Sequence, residues 1–321
     1  MSGQREGVLG LSHVRVMRSD VPTRFIRDEA DGFGERLVMF DEAGAPAWEA
    51  LRLREEFAAS PDVTAALEQR LRQLADLSHP ALPANRLLDD PERAGGLLLV
   101  SPYIRGRRLS KLDRPRSAAF ALTVIRDAVA PLAALQRHGE AIAHGSLNLQ
   151  RILVTTDGRI VLRDHVLGAV LDVLELPASR LWSELGVLGA GSTPVSRRQQ
   201  DVVHLALVGL SCLVGRPIGA EDYPSRLGTL IEQHVLLPAL RDWLHDALTG
   251  AFPMASAAED ALLQTFPGSL PGEVEVRASM AVFGRKGDPV TSPLPDAPGL
   301  RHLLRDESGS AFVAGRGGGA P

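Results

Sequence analysis

The apolar positions of the first hundred residues recur at the short intervals of strands. SHVRVMRS (12–19) and TRFIRDEA (23–30) are alternating or β-rich, ERLVMF (35–40) is a compact apolar run, and Asp31-Gly32 and Ala43-Gly44 supply turn chemistry. A helical period then takes over. Ser60 is placed to cap and Pro61 suits the first helical position, with Val63, Leu67, Leu71, Leu74 and Leu77 as its apolar stripe. NRLLDD (85–90) and GGLLLVSPYI (95–104) predict two more strands. From Arg116 the pattern is mostly helical: a long apolar stretch containing Pro131, an apolar helix from Asp201, and further helices through Phe266. The exception is a strand pair, RILVTT and RIVLRD, joined at Asp157-Gly158, a strong hairpin signal. Residues 267–321 are rich in glycine and proline and read as a linker or tail, with one possible strand in GEVEVRASMAVFG (272–284).

Composition narrows the function classes. The net charge of -4 and aromatic content of 4% provide neither the basic field nor the stacking platforms of a nucleic-acid binder. The single cysteine, Cys212, lies in an apolar helical run and reads as core. The first residues, MSGQREGVLGLSH, lack an apolar core of signal-peptide length. The longest apolar run, Leu205–Val214, is shorter than a bilayer span, so no membrane segment and a cytoplasmic location are expected.

The segment HGSLNLQRILVTTDGRIVLRDHV (144–166) resembles the catalytic and metal-binding segments of eukaryotic-type Ser/Thr protein kinases. LSHPAL (77–82), LVSPYIRGRRL (99–109) and DVVHLALVGLSCLVGRPI (201–218) resemble, in the family's order, the stretch after its regulatory helix, the hinge and the central helix of its large lobe. The resemblance implies an α+β, bilobal protein-kinase-like fold over residues 1–266. Its small β-rich N-lobe, with one helix, spans about 8–105 and its larger, mainly helical C-lobe about 106–266. It also implies site positions. Val38 and Leu153 would form the two faces of the adenine slot, Pro102 and Ile104 would offer the hinge backbone, and Asp164 would be a metal ligand. His144 and His165 would stack into a spine between the lobes, and Asp201 would anchor the catalytic-loop backbone.

The departures from the family pattern point away from catalysis. The family's His-Arg-Asp-Leu-x-x-x-x-Asn reads His144-Gly145-Ser146-Leu147, with Arg151 at the Asn. Serine cannot accept a proton as a carboxylate does, and arginine repels a cation. The strand lysine falls at Phe40, and the loop expected to cover the phosphates, MRSDVPT (17–23), has no glycine. The partner glutamate of that lysine would fall near Glu68 or Arg70. A late Glu–Arg pair of the family is absent, with Thr193-Pro194-Val195 or Val187-Leu188-Gly189 at one position and Met254 near the other.

The resulting expectation is a pseudokinase: a regulatory or scaffolding signalling module with no required cofactor, acting through a protein partner and not through nucleic acid. Two alternatives stand beside it. One is a divergent Ser/Thr kinase or other ATP-dependent transferase. The other is a sensor that binds nucleotide, with or without magnesium, and does not turn it over. Bland readings also apply: Asp164 as a strand-end residue, and Arg105–Arg108 as a solvated loop.

Overall fold

The computed structural model describes residues 25–286 apart from 42–43, 175, 189–195, 236 and 269–271. The expected strand at 12–19, the loop at 17–23 and Thr193-Pro194-Val195 lie outside them.

Five strands form one antiparallel sheet: β1 (Phe25–Ala30), β2 (Gly34–Phe40), β3 (Pro46–Leu53), β4 (Arg86–Asp89) and β5 (Leu97–Pro102), in the order β1-β2-β3-β5-β4. The sequence reading omitted β3. Its EALRL has the composition of a helix, yet β2 and β5 pair along both edges and impose extension. Between β3 and β4 lie a single turn, α1 (Glu55–Ala58), and the helix α2 (Pro61–Gln73). Ser60 Oγ accepts from Val63 N at 3.4 Å, and Val63 and Leu67 are buried with Leu51 and Leu53 of β3. β3 therefore turns Glu49, Leu51 and Leu53 toward α2, and Ala50 and Arg52 toward the opposite face.

A second sheet follows the hinge: β6 (Gly106–Arg108), β7 (Ile152–Thr155) and β8 (Ile160–Leu162), with Gly158 at φ 84° in the expected hairpin turn. The helices of the large lobe are α3 (Ala118–Gln136), α4 (Gly168–Val173), α5 (Ala178–Leu185), α6 (Arg197–Val214), α7 (Leu227–His234), α8 (Pro238–Leu248) and α9 (Ala255–Thr265). α3 has the length and apolarity of a membrane span, but it is mostly buried against α6 and α9 as a core helix. Cys212 is fully buried in α6, and burial pushes its thiol up to about 12.

The reading of 272–284 as a strand is corrected. Residues Glu273–Arg285 form a helix, α10, docked on α3, β6 and β7. The E-V-E-V alternation loses to a stripe at helical spacing, Val276, Met280 and Phe283, all buried. Phe283 meets Phe120 of α3 edge-on at 6.3 Å, under the guanidiniums of Arg107 and Arg116. At Gly284 a side chain would collide with the Thr155 carbonyl.

Candidate functional site

The two sheets face each other across the cleft where the resemblance places a nucleotide. Val38 pairs with Glu49 across β2 and β3, and Leu153 pairs with Arg108 across β6 and β7. Cross-strand partners share a face, so Glu49 and Arg108 enter the same gap as Val38 and Leu153. There the Arg108 guanidinium donates to the Glu49 carboxylate. Arg36 Nη1 donates to the same Glu49 oxygen at 2.9 Å, and Arg163 Nη2 lies 3.3 Å from it. All four side chains are buried. The space between the expected adenine-slot residues is therefore filled by an ionic cluster belonging to the chain.

Arg163, which precedes Asp164, extends to the hinge. Its Nη1 donates to the Pro102 carbonyl at 2.9 Å and its Nη2 to Ser101 Oγ at 2.8 Å. The Pro102 carbonyl, where a base amine would bond, already has a donor. Ile104 follows β5 and is half-buried.

Asp164 sits at the inner end of the cleft with φ 58°, the one positive φ at a non-glycine among the described residues. Its Oδ2 accepts from Arg36 Nη2 at 2.6 Å and from Arg151 Nη1 at 3.1 Å. Arg151 Nη1 also donates to Asp31 at 2.6 Å, and its guanidinium lies 5.0 Å from the Phe33 ring centroid. Burial alone would raise the Asp164 carboxyl, but Arg36 and then Arg108 hold it at about 2. Burial opposes ionisation of Glu49 too, and Arg108, Arg163 and Arg36 bring it to about 2. At Asp31 burial prevails over Arg36 and the carboxyl rises. These donors do not suit magnesium: the facing oxygen of Asp164 holds two guanidiniums, and the second ligand position carries Arg151. Among the described residues no group of three His, Cys, Asp or Glu side chains is placed to hold a metal.

One expectation about the small lobe is corrected. Phe40 is not on the third strand. It ends β2, opposite Pro46, and the lysine position belongs to β3, whose cleft face presents Glu49 and Leu51. The cation of β3, Arg52, points to the other side, with Nε 2.6 Å from Asp90. Among the described residues the loop beside Asp164 is the β1–β2 turn Asp31-Gly32-Phe33. A Cβ on Gly32 would collide with the Glu184 carbonyl, so the turn lies directly on α5. In α2 the inward residue is Arg70, which donates to the Ala143 carbonyl at 2.9 Å, whereas Glu68 is exposed beside Arg72.

The segment His144–Leu147 is buried. Asp201 accepts from His144 N and Gly145 N, each at 2.8 Å, and from Gln136 Nε2 at 3.0 Å. It thus holds the backbone at the residues where the resemblance implies an anchor. Burial outweighs these donors and raises its carboxyl to about 6. His144 and His165 are buried side by side, and burial lowers them to about 4 and about 3, so both are neutral. Ser146 is fully buried, its Oγ 3.4 Å from His144 Nδ1. Gly145 stands where the resemblance has arginine, and the backbone there suits glycine. Its φ is 69°, and a Cβ there would stand 2.7 Å from Gly168 Cα, at the start of α4.

Sequence reasoning missed Arg36, Glu49 and Arg163, and its reading of Arg105–Arg108 as a solvated loop is corrected: Arg108 ends β6, buried against Glu49. Arg163 was visible as the residue before the retained Asp164. The others carried no signal, because cross-sheet facing depends on the register of a strand that was not foreseen.

No family model matches the sequence. Solved structures do match. The kinase domain of Mycobacterium tuberculosis PknI superposes with a TM-score of 0.56 at 19% identity, over 75% of this chain and 94% of that one. A double mutant of that domain gives 0.57 at 18%, over 75% and 93%. The apo form of PpkA-294 gives 0.54 at 17%, over 74% and 94%. The chain has the protein-kinase fold.

Proposed function

We propose that this chain uses the protein-kinase fold without phosphotransfer, as a regulatory or scaffolding module that engages a protein partner. One observation carries the reading: arginines of the chain occupy the cleft. Arg36 and Arg151 saturate the metal-facing oxygen of Asp164, and Arg163 takes the hinge carbonyl. Phosphoryl transfer depends on positioned phosphates, metal ions and a base for the acceptor. Here the base position is the buried Ser146, and the strand face that should present a lysine presents Glu49 and Leu51. Restoring one group would not reopen the slot, since Glu49, Arg108 and Arg163 would still fill it. The nucleotide-sensor alternative requires ATP to displace at least the Arg163–Pro102 bond and the Glu49–Arg108 pair, both buried.

Transfer of labelled phosphate from ATP is the direct test of inactivity. The purified chain is expected to label neither itself nor a basic protein substrate, with magnesium or manganese. Incorporation that disappears in Asp164→Ala would overturn the reading and restore the divergent-kinase alternative.

A further inference from the structure

The sheet of the small lobe is apolar on both faces. Its inner face, with Leu51, Leu53 and Leu99, belongs to the main core with α2. Its outer face carries a second, separate cluster: Leu37 and Met39 of β2, Ala50 of β3, and Leu98 and Val100 of β5. The unbroken apolar run Leu97–Val100 of β5 is the pattern of a strand covered on both sides, where a half-solvated strand would alternate. None of the five outer side chains is more than 2% exposed. A side chain on a bare sheet face keeps part of its surface in water, so burial of this degree requires a layer on top.

The described helices of the small lobe do not supply that layer, because Phe57 of α1 and Val63 and Leu67 of α2 belong to the core of the inner face. The apolar side chains bordering the outer cluster, Trp48 and Leu88, are part of the sheet itself. The burial arises within a single chain, so the cover comes from a segment of this chain outside the described residues. Two such segments are long enough to cross the sheet, 1–24 and 287–321.

The first has the composition and the attachment the face needs. Val8, Leu9, Leu11, Val14, Val16 and Met17 put six apolar side chains into ten residues, whereas 287–321 is rich in glycine and proline. The chain enters β1 at Phe25, opposite Met39, so residues 1–24 join the sheet beside the covered face. Residues 18–24 can reach about 24 Å when extended. The face is narrower than that, roughly 14 Å over the three strand spacings from β2 to β4. Residues from 287 onward follow α10 instead, which docks on β6 and β7 in the large lobe.

We infer that residues 8–17 dock on the outer face of the small-lobe sheet and form its second apolar layer. This contact is independent of the cleft, and its failure would leave the inactive-cleft reading intact.

The test uses the full chain carrying a nitroxide on Ser12→Cys or, separately, on Ser310→Cys, with NMR of the three tryptophan indole N–H signals. Cys212 is buried, with its thiol pushed up to about 12, and takes no label. Trp48 borders the outer face, whereas Trp182 and Trp243 belong to α5 and α8; Trp48→Phe assigns the signal. The label at residue 12 is expected to remove most of the Trp48 intensity and leave Trp182 and Trp243 unchanged. The label at residue 310 is expected to leave all three. A tethered but undocked segment would also approach Trp48, so Val14→Asp/Val16→Asp in the labelled chain supplies the second arm. It should restore the Trp48 signal and increase binding of a hydrophobic dye, with the Trp182 and Trp243 signals at their parental positions. A Trp48 signal lost equally with and without the double substitution, or lost to the label at 310 and not at 12, would overturn the inference. So would loss of the Trp48 signal from an isotope-enriched, unlabelled chain mixed with spin-labelled chain, because the cover would then come from a second copy.

Discussion

Glu49 touches the guanidiniums of Arg36, Arg108 and Arg163, so removing its charge leaves three cations facing one another in a buried space. Breaking a buried ion pair from one side costs about 3–5 kcal/mol, and Glu49→Gln is expected to lose stability on that scale at pH 7, measured by denaturant unfolding. The pH dependence follows from the same contacts. Glu49 and Asp164 are held at about 2, against ordinary values of 4.5 and 3.8. A lowered carboxyl stabilises the fold fully above its unfolded value, and that contribution is lost as pH falls from about 4.5 toward 2. The loss over this window should be shallower in Glu49→Gln; an identical slope would show that Glu49 is not charged in the folded cluster. Asp201 has the opposite sign. Raised to about 6, it binds its proton more tightly when folded, and its contribution falls as pH rises from about 4 to 6. Asp201→Ala leaves the His144 and Gly145 backbone amides without their acceptor and removes one of the two acceptors of the Gln136 amide, and unsatisfied buried donors cost about 1–3 kcal/mol each. A variant melting with the parent would remove Asp201 from its role as anchor.

At the scale of elements, Gly145 and α10 carry the sharpest expectations. Gly145→Arg restores the family's residue type but drives a side chain into the backbone of Gly168 at a left-handed position. It should unfold at lower temperature than the parent and gain no activity. Phe283→Ala removes a buried ring that joins α10 to α3 and β6, at about 3–5 kcal/mol, as thermal unfolding would report. An unshifted transition would mean that α10 does not belong to the folded unit. These two elements also mark what the sequence discloses. The cap at Ser60, the Asp157-Gly158 hairpin and the α6 core run were legible because each is decided within a few neighbouring residues. β3 was not, because its extension is imposed by β2 and β5 from elsewhere in the chain. α10 was misread because two valines in alternation outweighed an i, i+4, i+7 stripe that only docking makes decisive. The departures at Ser146 and Arg151 could be read from the motif. What replaces the lost chemistry could not, because Glu49 and Arg108 meet only when two sheets close on each other.

At the scale of the whole molecule, the contacts form one seal. Glu49 and Arg108 bridge the two sheets, Arg163 ties the hinge, and Arg36 and Arg151 join the β1–β2 turn to Asp164. Gly32 lies against α5 at the mouth, and on the surface Arg54 reaches Glu184 at 2.7 Å. In kinases the lobes come together around a nucleotide and its metal; here the side chains of the two lobes hold one another. The chain is thus expected to keep its closed arrangement without a ligand. The most direct test is calorimetric titration of the purified chain with ATP, with and without magnesium, up to millimolar nucleotide. The account predicts no saturable heat in either condition, because the Pro102 carbonyl and the Asp164 carboxylate already have partners inside the chain and the Glu49–Arg108 pair fills the slot between the sheets. Saturable binding that requires magnesium and vanishes in Asp164→Ala would contradict it.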